Sequence, residues 1–363
     1  MADYTGGSYV WGLDASFGTH VTNYIIVIPC LIYGYLMLTL YNSPTQPNEL
    51  DNKDQHKCNK TVQGSLRNAI RLASSMAFIS CAGMSAIGGV IHQVVPSIDP
   101  LTSSSIFLND YAKDLHFWNV VRLHIYQWYA IWQIADILAV VFGCTMILLA
   151  YLTVKLDQNS NLRFLASNGN KFCNSDSYTL QMVDRKIGRS VHSFLTAIFL
   201  YTIWRLLKIY QYRQDIYCSR TNDEVVDIEE ARYDKDKMDI WSTVEAGAVF
   251  AGSTFLYATV MLYLLHKSYK YDKGTGEAIY SPNQYLLKFF GSILVLIGGL
   301  IQIILSFSCG KNNPIYCPLP IEFNHNAVYH VFLGLGVSLL FLADYSYFKQ
   351  FIHTSPSRTL KSD

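Results

Sequence analysis

The sequence predicts an all-α, polytopic membrane protein with seven transmembrane helices, its amino terminus outside and its carboxyl terminus in the cytoplasm. Of its 363 residues, 51% are hydrophobic and 15% are charged, whereas soluble globular chains carry about a quarter charged residues. A hydrocarbon core roughly 30 Å thick needs about 20 apolar residues in a helix, because only a helix satisfies its own backbone polar groups there. Seven runs of the sequence meet this requirement: 21–40, 70–95, 132–154, 191–210, 241–265, 285–307 and 326–348.

Proline and glycine interrupt these runs without ending them. Pro29 lies within the first run, and we expect it to kink the helix because neighbouring helices can satisfy the carbonyl group that it frees. Glycines recur at 88–89, at 298–299 and at Gly334 and Gly336. Small residues let helix backbones approach closely in lipid, so these positions are predicted to be helix contacts.

The distribution of Lys and Arg outside the runs predicts the orientation. The segments of one side hold 17 of these residues, and the segments of the other side hold 7. Cytoplasmic segments carry the excess, so residues 1–20 form an outer amino-terminal segment, 21–348 the membrane domain and 349–363 a cytoplasmic tail. The outer segment 213–239 also carries nine Asp or Glu and is predicted to be a flexible acidic loop.

The amino-terminal segment and the net charge limit the cellular locations and the binding partners that we expect. Residues 1–20 contain no cleavable signal peptide, so we expect the first run to be a retained targeting signal. The predicted location is the plasma membrane or the endomembrane system, with the lipid bilayer as the partner. A net charge of +1, without a basic patch, excludes nucleic acid as an expected partner.

Three of the eight cysteines are predicted to face the outer side. Cys309 and Cys317 flank the turn-rich segment GKNNPIY, so one expected disulfide joins them, and Cys218 paired with either one is the alternative. The cysteines inside the runs are predicted to pack as small apolar residues: Cys30, Cys81 and Cys144.

Ionisable side chains inside the runs lie at a similar depth. Such a group costs about 3 kcal/mol or more in hydrocarbon unless it is paired or faces a wet cavity, so each is a functional candidate. His92 lies near the outer end of the second run, while Asp136, Glu245 and His330 follow the outer starts of their runs by about four or five residues. With His325 just before the seventh run, these groups share the outer third of the membrane.

Three imidazoles and a carboxylate at one level suit zinc. A catalytic zinc ion holds three protein ligands and one open position, and it lowers the pKa of bound water towards about 7. His325 and His330 are five residues apart, which separates them by about 140° on a regular helix. They converge if the helix begins near Asn324 or Asn326, and Asn is a good helix cap. If the three histidines and Asp136 converge in this way, they are chemically sufficient for zinc-dependent hydrolysis.

Other interpretations of the same residues remain open. Histidines near a membrane interface are often structural hydrogen-bonding groups, and Glu245 is also a candidate partner for Arg205 or Lys208. A haem protein would use facing histidines, for which His92 and His330 qualify.

A non-enzymatic receptor-like or structural protein would use the same helices without a metal. The third run has no Asp-Arg-Tyr at its inner end, and the seventh has neither Asn-Pro-x-x-Tyr nor a central Lys for a retinal Schiff base. The likeness to rhodopsin-like receptors is therefore poor. Zinc, haem iron or neither would separate the three classes.

The sequence resembles the CREST superfamily of seven-span membrane hydrolases. The resemblance rests on seven runs with an outer amino terminus, with His92 on the second, Asp136 on the third, and His325 and His330 opening the seventh. This superfamily includes the alkaline ceramidases and the progestin and adiponectin receptors. The resemblance implies a zinc ion held by the three histidines, with Asp136 and Ser85 as assisting catalytic residues, and a lipid amide or ester bond as the substrate.

Two details differ from the pattern of that superfamily. Its last histidine pair is usually spaced four residues apart, whereas the spacing here is five. Its serine lies one turn before the histidine of the second span, a position that Gly88 occupies here. Ser85 lies two turns before His92 and on the same helix face.

Overall fold

The computed structural model describes residues 17–40, 54–98, 115–168, 176–218, 228–271, 280–309, 318–320, 323 and 325–353, and it contains seven α-helices and no strand within them. The helices are α1 Phe17–Thr39, α2 Asp54–Ile98, α3 Leu115–Asn168, α4 Asp176–Cys218, α5 Ile228–Tyr271, α6 Pro282–Cys309 and α7 His325–His353. Each contains a stretch long and apolar enough to cross a membrane, which confirms the prediction of a seven-helix, all-α membrane protein.

The predicted spans agree with these stretches to within about five residues. They are Val21–Thr39, Ser65–Val90, Ala130–Gln158, Gly188–Gln211, Glu245–Tyr269, Pro282–Leu305 and His325–Lys349. Below, the end of the bundle at which α1, α3, α5 and α7 begin is called the outer end, following the predicted orientation, and the opposite end is called the inner end.

Several helices are far longer than a bilayer requires. α3 has 54 residues, or about 80 Å at 1.5 Å per residue, of which the apolar stretch takes 29. The prediction of a flexible acidic loop at 213–239 is wrong in part, because residues 228–239 form the first turns of α5. Charged residues favour solvated helix as readily as loop when their neighbours have good helix propensity.

Six helices form a closed ring, and α4 lies outside it. Around the ring, α1 contacts α2, followed by α3, α5, α6 and α7, and α7 returns to α1. α4 packs mainly against α3. Only 6% of its apolar stretch is buried, against 28–61% in the other six helices, so most of α4 faces outward.

Aromatic packing joins three helices in the middle of the bundle. The rings of Tyr33 on α1 and Phe341 on α7 stack with centroids 4.0 Å apart, and Phe78 on α2 meets both edge-on. The Tyr33 hydroxyl lies 3.2 Å from Ser338 Oγ. Edge-on and offset pairs of this kind add about 0.5–1.5 kcal/mol to the burial of the rings.

Glycines set the closest helix contacts, as predicted. A methyl group on Gly336 of α7 would lie 2.5 Å from the carbonyl oxygen of Gly291 on α6, and one on Gly298 would lie 2.7 Å from Cβ of Phe332. Only glycine lets these backbones approach so closely. The prediction is wrong for Gly299, which has open space beside it.

The cysteine predictions divide between described and undescribed positions. Cys30 and Cys81 are buried in the apolar core, and Cys144 is partly buried as a free thiol. The side chains of Cys218, Cys309 and Cys317, and with them the expected disulfide, lie outside the described residues, as do residues 1–16 and 354–363.

Candidate functional site

The start of α7 carries two buried histidines. α7 begins at His325, between the two asparagines near which the sequence analysis expects the helix to start. His325 and His330 are each 7% exposed, so both lie inside the protein at the outer end rather than in lipid.

A side chain of α1 contacts His330. The Thr22 hydroxyl oxygen lies 3.3 Å from His330 Nδ1, and Thr22 is itself buried. One turn further along both helices, Ile26 packs against Gly334. The two parallel helices are therefore in close contact at the level of this histidine.

The next residue of α1 faces α2. Asn23 Oδ1 lies 3.2 Å from the place that a methyl group on Gly88 would occupy, and Asn23 is buried. His92 follows Gly88 by about one helical turn. Its backbone is part of α2, but its side chain lies outside the described residues.

Further polar groups lie around this level, and some of them are only partly buried. Ser85 on α2 is 2% exposed, and its hydroxyl has no hydrogen-bond partner among the described residues. Gln302 on α6 donates to Asn326 Oδ1 on α7 at 2.8 Å. The outer ends of α1, α2, α6 and α7 therefore each carry polar side chains that contact or approach a neighbouring helix or are buried without a partner among the described residues.

A complete metal centre is not found among the described side chains. Within that part of the chain, no group of three or more His, Cys, Asp or Glu is arranged to hold a metal ion. Because the His92 side chain is outside it, the set of His92, His325 and His330 stays a prediction.

Asp136 takes part in an ion cluster with α4. Arg205 Nη2 lies 3.4 Å from Asp136 Oδ2, and Arg205 Nη1 lies 3.5 Å from Glu245 Oε2. The prediction that Glu245 partners Arg205 is thereby confirmed. Lys208, the alternative, instead lies 4.0 Å from the centroid of the Trp204 ring.

Asp136 also stands at the level of Ser85. Leu138 on α3 packs against Gly83 on α2, with its Cδ1 3.0 Å from the place of a methyl group there. Since α2 and α3 run in opposite directions, Asp136 and Ser85 lie two residues to the outer side of this contact. The two predicted assisting residues therefore share a depth on neighbouring helices.

A second buried ion pair lies at the inner end. Lys288 Nζ on α6 lies 2.6 Å from Asp344 Oδ1 on α7, and Ser74 on α2 donates to Asp344 Oδ2 at 2.7 Å. Lys288 and Ser74 are completely buried, and Asp344 is 3% exposed. Burying both charges is tolerated because each stabilises the other and the serine satisfies the second carboxylate oxygen.

Aromatic rings cover this ion pair. Tyr280, just before α6, places its ring 4.1 Å from Lys288 Nζ and stacks on Tyr347, 4.1 Å between centroids. Arg67 Nε donates to the Tyr347 hydroxyl at 3.1 Å. Burial, and next the carboxylate of Asp344, raise the pKa of Tyr280 well above its usual value, so this hydroxyl stays protonated at neutral pH.

Other polar contacts close the inner ends of the remaining ring helices. Arg71 Nη1 on α2 donates to the carbonyl oxygens of Met37 and Leu38 on α1. Lys267 on α5 pairs with Asp157 on α3. Every ring helix thus joins a neighbour through a charged side chain at this end.

The inner cluster of Lys288, Asp344 and Ser74 was not predicted from the sequence. Neither Lys288 nor Asp344 was given a role, although both lie within predicted runs, and the structure buries Lys288 within α6. A signal was present: Asp344 interrupts the apolar run LLFLADYSYF, and an acidic residue inside a span needs a partner just as Asp136 does.

Comparison of the chain with protein-family models, with curated proteins and with solved structures finds no match.

Proposed function

We propose that this multi-pass membrane protein is a zinc-dependent hydrolase that cleaves an amide or ester bond of a lipid, with His92, His325 and His330 as the metal ligands. One observation carries the proposal. A single turn of α1 contacts α7 at His330 through Thr22 and approaches α2 at Gly88 through Asn23. Because His92 follows Gly88 by one turn, this contact supports a similar depth for His92 on α2 and His330 on α7.

The donor set fits zinc. Two imidazoles are buried at the start of α7, where neutral nitrogen donors suit a tetrahedral site that keeps one position open. A zinc ion held there would supply a bound water with a pKa near about 7. Burial at the outer end of the apolar stretches favours a lipid that reaches the site from the bilayer.

Ser85 and Asp136 are the proposed assisting residues. The buried Ser85 hydroxyl is suited to donate a hydrogen bond to a substrate carbonyl, since it has no partner among the described residues. Asp136 shares its depth but contacts Arg205. A role for Asp136 as an assisting acid therefore requires that its carboxylate reach the histidines as well as Arg205.

Metal analysis of the purified protein tests the proposal. We expect about one zinc ion per chain, and we expect His92→Ala, His325→Ala and His330→Ala each to lose most of it. His192→Ala is the matched control, because His192 is exposed on α4, and it should retain zinc. Wild-type zinc content in all three ligand variants would overturn the ligand assignment.

Hydrolysis is measured separately, with lipid amides and esters in liposomes that contain the protein. Turnover should depend on the three histidines and should fall in Ser85→Ala without loss of zinc.

A non-enzymatic seven-span protein is the second candidate. It is favoured by the pairing of Asp136 with Arg205, which gives that carboxylate a structural role. A purified protein without zinc and without turnover would support it, and iron with a Soret band would support the haem alternative.

A further inference from the structure

Among the described residues, the Thr22 hydroxyl has three polar neighbours. Its oxygen lies 2.6 Å from the Gly18 carbonyl oxygen, 3.1 Å from that of Thr19 and 3.3 Å from His330 Nδ1. A hydroxyl has one proton to donate and two lone pairs that accept, so the neighbours cannot all receive its proton equally.

The shortest of these distances places the proton. Two oxygen atoms 2.6 Å apart are at the short end of O–H···O hydrogen bonds, and without a proton between them their lone pairs would repel. The Gly18 carbonyl can only accept. Thr22 therefore donates towards its own helix, and the Thr19 carbonyl lies on the same side.

The remaining contact then has a fixed direction. Because the Thr22 proton points into α1, the oxygen presents a lone pair to His330, and the hydrogen bond at 3.3 Å requires a proton on Nδ1. In a neutral imidazole a proton on Nδ1 leaves the lone pair on Nε2.

We infer that Thr22 is a positioning residue that holds His330 as the Nδ1–H tautomer, so that Nε2 is the basic nitrogen directed away from α1. The use of Nε2 as a zinc ligand rests on the proposed function, whereas the tautomer does not. A hydrogen bond on one ring nitrogen commonly selects the other as the ligand and fixes the orientation of the ring.

The surroundings hold this geometry in place. His330 and Thr22 are both nearly buried, so water does not readily replace their contact. The packing of Ile26 against Gly334, one turn further along both helices, fixes the separation of α1 and α7. The Tyr329 ring lies 5.2 Å from the imidazole centroid and limits its rotation.

The test is the ¹⁵N chemical shifts of histidine in zinc-depleted protein at about pH 8, with His330→Gln to assign the signals. In the wild type we expect a protonated Nδ1 and an unprotonated Nε2 at His330. Thr22→Ser keeps the hydroxyl and should preserve this pattern, whereas Thr22→Val keeps the shape and should lose the preference. Protonation at Nε2, a doubly protonated ring, or an unchanged pattern in Thr22→Val would overturn the inference.

Zinc binding gives a second measurement. If the proposed function is also right, Thr22→Val should weaken zinc affinity by about 10–100-fold, as loss of a ligand's hydrogen-bond partner does, and Thr22→Ser should not. The expected tautomer in a protein that binds no zinc would leave the role of Thr22 intact and would overturn only the proposed function.

Discussion

Arg205 is almost completely buried on a helix that is otherwise mostly exposed. It is 1% exposed, while its neighbours Leu206 and Leu207 are about half exposed. Its guanidinium lies near two aromatic rings of its own helix, Tyr201 and Trp204, and reaches α3 and α5. This side chain therefore links α4 to two helices of the ring.

Replacing Arg205 by Met should destabilise the protein by about 3–5 kcal/mol, because it leaves the carboxylate of Asp136 buried without its cation. Glu245→Gln is the control and should have a small effect, since the Glu245 side chain is 51% exposed. Reversible unfolding in mixed micelles measures both. Equal stability of Arg205→Met and the wild type would contradict a buried ion pair at Asp136.

At the scale of single residues, the sequence places several ionisable side chains at the ends of apolar runs, but it gives their partners only in part. The burial of Asp136, His325 and His330 follows from their places near the ends of apolar runs. That Arg205 takes both Asp136 and Glu245 does not follow, because it depends on which helices are neighbours. A sequence alone gives depth along a helix but not the rotation of that helix about its axis.

α6 and α7 pack closely against each other. Their backbones meet at Gly291 and Gly336, and the ion pair of Lys288 with Asp344 lies near the inner end of the same interface. Close backbones and a buried charge pair on one interface fix the relative register of the two helices.

Gly336→Ala should destabilise the protein by about 1–3 kcal/mol, because the added methyl group would overlap the carbonyl oxygen of Gly291. Gly299→Ala, on the open side of α6, is the matched control and should be neutral or slightly stabilising, since alanine is the better helix former. Thermal unfolding in one detergent compares the two. A larger loss for the control than for Gly336→Ala would show that the interface is arranged differently.

The ion pair should show strong coupling in a double-mutant cycle. Lys288→Met and Asp344→Leu should each cost about 3–5 kcal/mol, because each leaves one charge buried and unpaired, and the double variant should recover much of that loss. Additive losses in the double variant would indicate that the two side chains do not interact.

At the scale of the whole molecule, the predicted orientation awaits a direct test. With an excess of 17 over 7 basic residues on one side, we expect a tag after Asp363 to be protected in intact cells and a tag at the amino terminus to be accessible. If the protein is in an internal membrane, selective permeabilisation of the plasma membrane makes the same comparison. The reverse pattern of labelling would invert the assignment of the outer and inner ends.

The number and limits of the spans are predictable from sequence, but their arrangement is not. In a bilayer a helix face that meets lipid is as apolar as one that meets another helix. The apolar stretch of α4 therefore resembles the others in hydropathy, although only 6% of it is buried. The closed ring of six helices depends on shape at positions such as Gly291 and Gly336, which hydropathy does not distinguish from Gly299.

Burial of Lys288 has a consequence for biosynthesis. α6 is synthesised before α7, and Asp344 follows Lys288 by 56 residues, so the lysine enters the membrane before its counter-ion exists. Its flexible stem allows the ammonium to reach the nearby interface in the meantime. We expect an amine reagent to label Lys288 in chains that end at residue 320 but not in the full chain, with Lys288→Met identifying the site. The last helix would then convert a nascent chain with a solvent-reachable amine into a mature protein in which that amine is chemically inaccessible.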